Sequence, residues 1–149
     1  MKRIIHIGAD SAGYELKELI KEHLSDLGYT VTDHGCNSTA SCHYPEFASK
    51  VSRAVQDDLD GAFGILVCGS GIGMSMCANK HVGIRAALCG DTFSARITRM
   101  HNDANVLCIG ARVIGSHLAL DIVDSFLGAE FEGGRHKIRV DMINELDKR

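Results

Sequence analysis

The run Phe63-Gly-Ile-Leu-Val-Cys68 carries no charged side chain, and it leads at once into Gly69-Ser-Gly-Ile-Gly73 and then Met74-Ser-Met-Cys-Ala-Asn-Lys80. The first segment reads as a buried strand and the last as a helix. The glycines between them form a tight turn whose backbone N–H groups can converge on one spot. Cys68 stands at the edge of that spot, so a thiol lies beside a cradle able to stabilise an anion. A nucleophile or base placed there points to an enzyme rather than a scaffold.

The same strand-then-helix order runs through the chain. Lys2 to Ile7 is strand-like, and Tyr14, Leu16, Leu19, Ile20, Leu24 and Leu27 recur at helical spacing before Gly28 ends that helix. Tyr29 to Thr32 is the second strand. Pro45 opens a helix whose inner side carries Phe47, Ala48, Val51, Ala54 and Val55. After the glycine turn come a strand over Ile84 to Leu88, a helix capped by Asp91 or Thr92 and reaching His101, and a strand over Asn105 to Ile109. A helix over Ser116 to Leu127 follows. The last helix starts near Gly134 and carries Ile138, Met142, Ile143 and Leu146. The expected fold is α/β: one doubly wound, Rossmann-like domain over residues 1–149, with a five-stranded parallel sheet and helices on both faces. Function in such folds gathers at the carboxyl ends of the strands. Asp10, Ser11, Cys68, Ser70, His101 and Asn102 are expected at or beside those ends.

The 149 residues have a formal net charge of −3, which gives no general attraction to nucleic acid or to a membrane surface. Met1-Lys-Arg-Ile-Ile-His has no long apolar stretch, and no apolar run approaches the roughly 20 residues that span a bilayer. A cytoplasmic protein is expected. The six cysteines, at positions 36, 42, 68, 77, 89 and 108, include no C-x-x-C pair and match no common zinc spacing. Cysteines other than Cys68 read as small buried hydrophobic residues, without disulfides.

The glycine turn is neither a dinucleotide fingerprint nor a Walker loop. Its spacing is G-x-G-x-G, it follows the third strand, and no Gly-Lys-Ser/Thr follows. It could still be a plain strand-to-helix turn. Ser70 could relay a proton or simply be a turn residue. His101, in His101-Asn-Asp103, could act as an acid or base near neutral pH, or merely complement a helix end. Arg112, and Arg135 with Arg139 four residues apart on one helix face, suit a phosphate; a solvated basic face is the alternative. Asp10 could orient a sugar hydroxyl or cap the next helix.

Three motifs in order, Cys68-Gly-Ser-Gly-Ile-Gly73 with Ala78-Asn-Lys80, His101-Asn-Asp-Ala-Asn105 and Gly133-Gly-Arg-His-Lys-Ile-Arg139, resemble the ribose-5-phosphate isomerase B family over nearly the full length. That group also contains the galactose-6-phosphate isomerase subunits. The resemblance implies aldose–ketose isomerisation of a phosphorylated monosaccharide through an enediolate. Cys68 would move the C2 proton, and the loop from Gly69 through Gly71 to Gly73 would stabilise the enediolate. Ser70 would shift protons between the two oxygens. His101 would help open the furanose ring, with Asp10 and Asn102 nearby. Arg112, Arg135 and Arg139 would bind phosphate, and Tyr44 would line the site. The resemblance implies no cofactor and no metal, and a homodimer or homotetramer with sites shared between chains. Some relatives use a glutamate just after the last loop glycine; Met74 stands there.

Two departures bear on the sugar. The family commonly has histidine at Ser11, which is expected to bind substrate, and the pentose enzymes commonly have aspartate at His43. Ribose 5-phosphate is the first expectation. Allose or galactose 6-phosphate, or a tetrose phosphate, is the alternative. A non-catalytic binder of phosphorylated ligands, or a partner subunit for another isomerase, would use the same loop and arginines without needing Cys68 and His101.

Overall fold

The computed structural model describes residues 2–148; Met1 and Arg149, the ends of the expected domain, lie outside the described residues. Five strands and six helices alternate: β1 (Ile4–Ala9), α1 (Tyr14–Asp26), β2 (Val31–Asp33), α2 (Tyr44–Gln56), β3 (Ala62–Cys68), α3 (Ile72–Ala78), β4 (Ala86–Leu88), α4 (Thr92–Asn102), β5 (Val106–Gly110), α5 (Ser116–Leu127) and α6 (Arg135–Glu145). All strands are parallel, in the order β2-β1-β3-β5-β4. The sheet is doubly wound, as the alternation implies.

Alternate residues of each strand feed two cores. Ile5, Ile7, Ile65, Val67, Leu107 and Ile109 pack with α1, α4 and α5, whereas Leu66, Cys68, Val106 and Cys108 pack with α2 and α3. β3 and β5 are buried throughout, which is why they read as continuous apolar runs. The connection after β3 therefore leads to one face, and those after its neighbours β1 and β5 lead to the other. The winding reverses on both sides of β3, and a crevice opens at its carboxyl end, where Cys68 sits.

Two expectations about faces change. On α1, Leu19 and Leu27 are exposed and Lys17 is fully buried, its ammonium 2.6 Å from Asp33 of β2. On α6, Ile138, Met142 and Ile143, and Leu146 just beyond it, are exposed, and the buried residues are His136 and Val140. α6 packs against α4, and one narrow stripe of it is covered. Among the described residues, no helix is long and apolar enough to cross a membrane.

Candidate active site

The crevice beside β3 is an open groove of about 570 Å³ lined by Asp10, Tyr44, Cys68, Gly69, Ser70, Gly73 and Arg112. Cys68 is the last residue of β3, and the others come from loops or helix starts at the carboxyl edge of the sheet. Asp10 follows β1; its N–H donates to Val67 O at 3.2 Å, and its Oδ1 accepts from Gly13 N–H at 3.0 Å. That pair of bonds ties the first loop to the strand end that carries Cys68. Arg112 follows β5, and its backbone N–H donates to Gly69 O at 3.0 Å. Tyr44 opens α2, where Pro45 supplies the fixed φ of a first helical turn.

Cys68 is only 4% exposed, yet its sulfur is not enclosed in hydrocarbon alone. It lines the groove and accepts a hydrogen bond from Gly71 N–H at 3.1 Å. The geometry depends on Gly71, whose φ of +77° lies in the left-handed region. A Cβ at Gly73 would come within 2.6 Å of the Tyr44 ring, so the loop and the tyrosine approach as closely as they do because residue 73 is glycine.

The loop differs from the expected cradle in one respect. The Gly71 N–H is directed at Cys68 and the Ile72 N–H at Ser70 Oγ, 3.2 Å away. Part of the anion-stabilising capacity is thus used on the thiol and on the hydroxyl that would relay protons. Burial pushes the Cys36 and Cys108 thiols up, and that of Cys89 to about 11, which keeps them protonated. All six cysteines are free.

His101, Asn102, Arg135 and Arg139 do not line this groove, and Ser11 lies in the turn beside Asp10 without lining it. α4 runs back from the carboxyl end of β4 to the start of β5. Its last residues, His101 and Asn102, therefore lie at the amino-terminal edge of the sheet and not at the carboxyl edge as expected. An 11-residue helix is roughly 16 Å long, so the two edges are well apart. α6 packs on α4 and presents Arg135 and Arg139 exposed beside His101.

This second cluster contains two residues that sequence reading missed. Glu132 Oε2 is 3.8 Å from His101 Nε2 and 3.3 Å from His136 Nε2. Burial, with His101 and Arg135 nearby, pushes the His136 imidazole below its ordinary value. The three ligand-type atoms lie within 4.8 Å of one another. The two imidazoles, however, are stacked with centroids 4.0 Å apart and planes 9° apart. Ring lone pairs lie in the ring planes, and two nearly parallel planes cannot both aim at an ion about 2.0–2.1 Å from each nitrogen. The arrangement suits a stacked pair sharing a carboxylate better than a metal centre. Their spacing in Glu132-Gly-Gly-Arg-His136 is the signal that could have been taken up, since an acid and a histidine four apart on one side of a turn can meet.

Residues 5–143 match the family model described as Ribose/Galactose Isomerase. The chain is 47% identical to ribose-5-phosphate isomerase B of Escherichia coli, over 100% of its own length and 99% of that protein. It is also 47% identical to D-erythrulose-4-phosphate isomerase of Pectobacterium atrosepticum, over 93% of this chain and 91% of that one. It is similar to the crystal structure of ribose-5-phosphate isomerase B from Mycoplasma genitalium with bound ribulose-5-phosphate: TM-score 0.96, 42% identity, covering 100% of this chain and 99% of that one.

Proposed function

The chain belongs to the Ribose/Galactose Isomerase family, and on that premise we propose that it interconverts ribose 5-phosphate and ribulose 5-phosphate with Cys68 as the base. It is an aldose–ketose isomerase. Arg112, Arg135 and Arg139 hold the phosphate and fix the carbon chain. His101 opens the ring, with Asn102 beside it and with Asp10, Ser11 and Tyr44 around the sugar. The Cys68 thiolate takes the proton from C2. Charge then builds on the carbonyl oxygen and is met by amides of the Gly69–Gly73 loop; one such donor is typically worth about 3–4 kcal/mol. Ser70 moves a proton between the two oxygens, and the thiol returns its proton to C1. No step needs a cofactor, because positioning and electrostatics supply the chemistry.

The observation that carries this reading is the Cys68 sulfur at the wall of the groove with the Gly71 N–H upon it. Cys68→Ala is expected to abolish turnover while substrate still binds, measured by calorimetry; unchanged turnover removes Cys68 from the mechanism. The enzyme works as a homodimer or pair of dimers, in which His101, Asn102, Arg135 and Arg139 of one copy complete the groove of another. Two features support this: the residues lie at opposite edges of one chain, and Ile72, Met76 and Val113 stand exposed by the groove as Ile138 and Met142 do on α6. A cytoplasmic location fits a phosphorylated metabolite.

A tetrose phosphate is the second substrate reading. It is favoured by the equal identity to an erythrulose-4-phosphate isomerase and by Ser11, which removes a bulky ring from the first loop. Comparing kcat/KM over a panel of aldose phosphates decides between them. The highest value for a substrate other than ribose 5-phosphate refutes the first reading.

A further inference from the structure

We infer that Glu132 is the positioning residue of His101, setting the tautomer with which that imidazole opens the sugar ring. The inference rests on the reading of His101 as the ring-opening group. Glu132 N–H donates to Met100 O at 3.0 Å, which fixes residue 132 against the last turn of α4, one residue before His101. Gly133 and Gly134, with φ of +68° and +56°, then turn the chain into α6 and bring His136 back over the cluster. The His101 ring is covered on one face by His136 at 4.0 Å and flanked at Nε2 by the Glu132 carboxylate at 3.8 Å. The same carboxylate lies 3.3 Å from His136 Nε2, so one acid sits beside both rings. Arg135 stands between them in sequence, so the phosphate anchor and the ring-opening imidazole are set by the same turn.

A carboxylate beside Nε2 favours the proton on that nitrogen and leaves Nδ1 as the nitrogen for the sugar. Nδ1 accepts the proton of the anomeric hydroxyl. The bond between C1 and the ring oxygen breaks, with its electron pair going to the ring oxygen. Nδ1 then hands the same proton to that oxygen, and the imidazole is restored. Glu132 stabilises the transient imidazolium and never touches the substrate.

The test compares two aldoses. Ribose 5-phosphate closes a furanose ring, whereas erythrose 4-phosphate cannot, because its O4 is esterified. Glu132→Gln is expected to lower kcat on ribose 5-phosphate roughly tenfold to a hundredfold, the range seen when a reacting group is misplaced. KM should stay within about twofold, because phosphate binding is untouched. Turnover of erythrose 4-phosphate should be preserved, and Glu132→Asp should restore most of the loss. Equal losses on both sugars, or none on either, overturn the inference. Nitrogen-15 spectra of the imidazole at alkaline pH give a readout independent of turnover: the Nε2–H form of His101 is expected in the unmodified protein, with a shift toward Nδ1–H in Glu132→Gln. An unchanged tautomer likewise overturns it. His101→Asn separates the two levels: full activity of that variant on ribose 5-phosphate refutes the ring-opening role itself, whereas loss there with an unaffected Glu132→Gln refutes only the positioning.

Discussion

Replacing Gly71 by alanine tests the link from backbone conformation to chemistry at one atom. The residue has φ +77°, and a left-handed conformation costs a non-glycine residue roughly 1–2 kcal/mol. The added Cβ would lie 2.5 Å from Leu88 Cδ1, 2.9 Å from Ile109 C and 3.1 Å from Gly110 N. The leucine tip can move, but the β5 backbone is held in the sheet, so overpacking adds roughly 1–3 kcal/mol. The sum is about 2–5 kcal/mol, a large share of the roughly 5–15 kcal/mol that holds a domain folded. It corresponds to a fall in Tm of roughly 5–15 °C. Urea unfolding followed by circular dichroism at fixed protein concentration reads it directly. Gly90→Ala is the control: Gly90 is exposed, and its Cβ meets nothing within 4 Å, so its effect should be within about 0.5 kcal/mol. Leu88→Ala added to Gly71→Ala should recover only part of the loss, because the β5 contacts remain. Any shift of the loop also moves the N–H that faces Cys68, so kcat should fall even at temperatures where the variant is fully folded. A Gly71→Ala protein as stable and as active as its parent refutes both the strain and the role of that N–H.

Arg112→Ala should raise KM for a phosphorylated sugar about tenfold to a hundredfold, the worth of one lost charge-assisted hydrogen bond, with a smaller effect on kcat; an unchanged KM and unchanged inhibition by inorganic phosphate count against its role. His6 Nδ1 and His34 Nε2 lie 2.9 Å apart, and burial first, then the charge of a neighbour (His34 for His6, Lys50 for His34), holds both below the ordinary imidazole value. The unfolded chain therefore takes up protons near pH 6.5 before the folded one does, so stability is fully present above about pH 6.5 and declines as pH falls toward the folded values. The urea midpoint should drop between about pH 7 and 5, and His34→Gln should flatten that slope; a slope equal in both proteins refutes the assignment.

The legibility of the chain followed the reach of each interaction. α5 is found at Ser116–Leu127 as its pattern implies, and β3 ends at Cys68, because one face of a helix or a fully apolar run needs only its own residues to declare itself. The short edge strands β2 and β4 each start two residues later than their apolar runs, since their extent is set by pairing with β1 and β5 rather than by their own composition. Burial of Lys17 was not legible because its partner, Asp33, sits on another element. The placement of His101 was recoverable in principle: it ends a helix and precedes a strand, and every helix between parallel strands runs back to the amino edge. Glu132 escaped notice because its value arises only from the turn at Gly133 and Gly134, which folds it onto α4.

That edge-to-edge separation yields a decisive experiment on assembly. If the groove of one chain is completed by His101 of another, a Cys68→Ala chain still donates a sound imidazole, and a His101→Asn chain still donates a sound thiol. With ribose 5-phosphate as substrate, each variant alone is inactive in every site. Unfolded together in equal amounts and refolded, half of the dimers are mixed, and each mixed dimer contains one site with both groups intact and one with neither. About a quarter of the unmodified activity should therefore return, by counting alone. A complete site within each chain would give a different result, since every site would then lack one group whatever the pairing. Mixed dimers confirmed by mass spectrometry, with turnover no higher than either parent, would rule out the shared site and require α4 and α6 to reach the groove of their own chain.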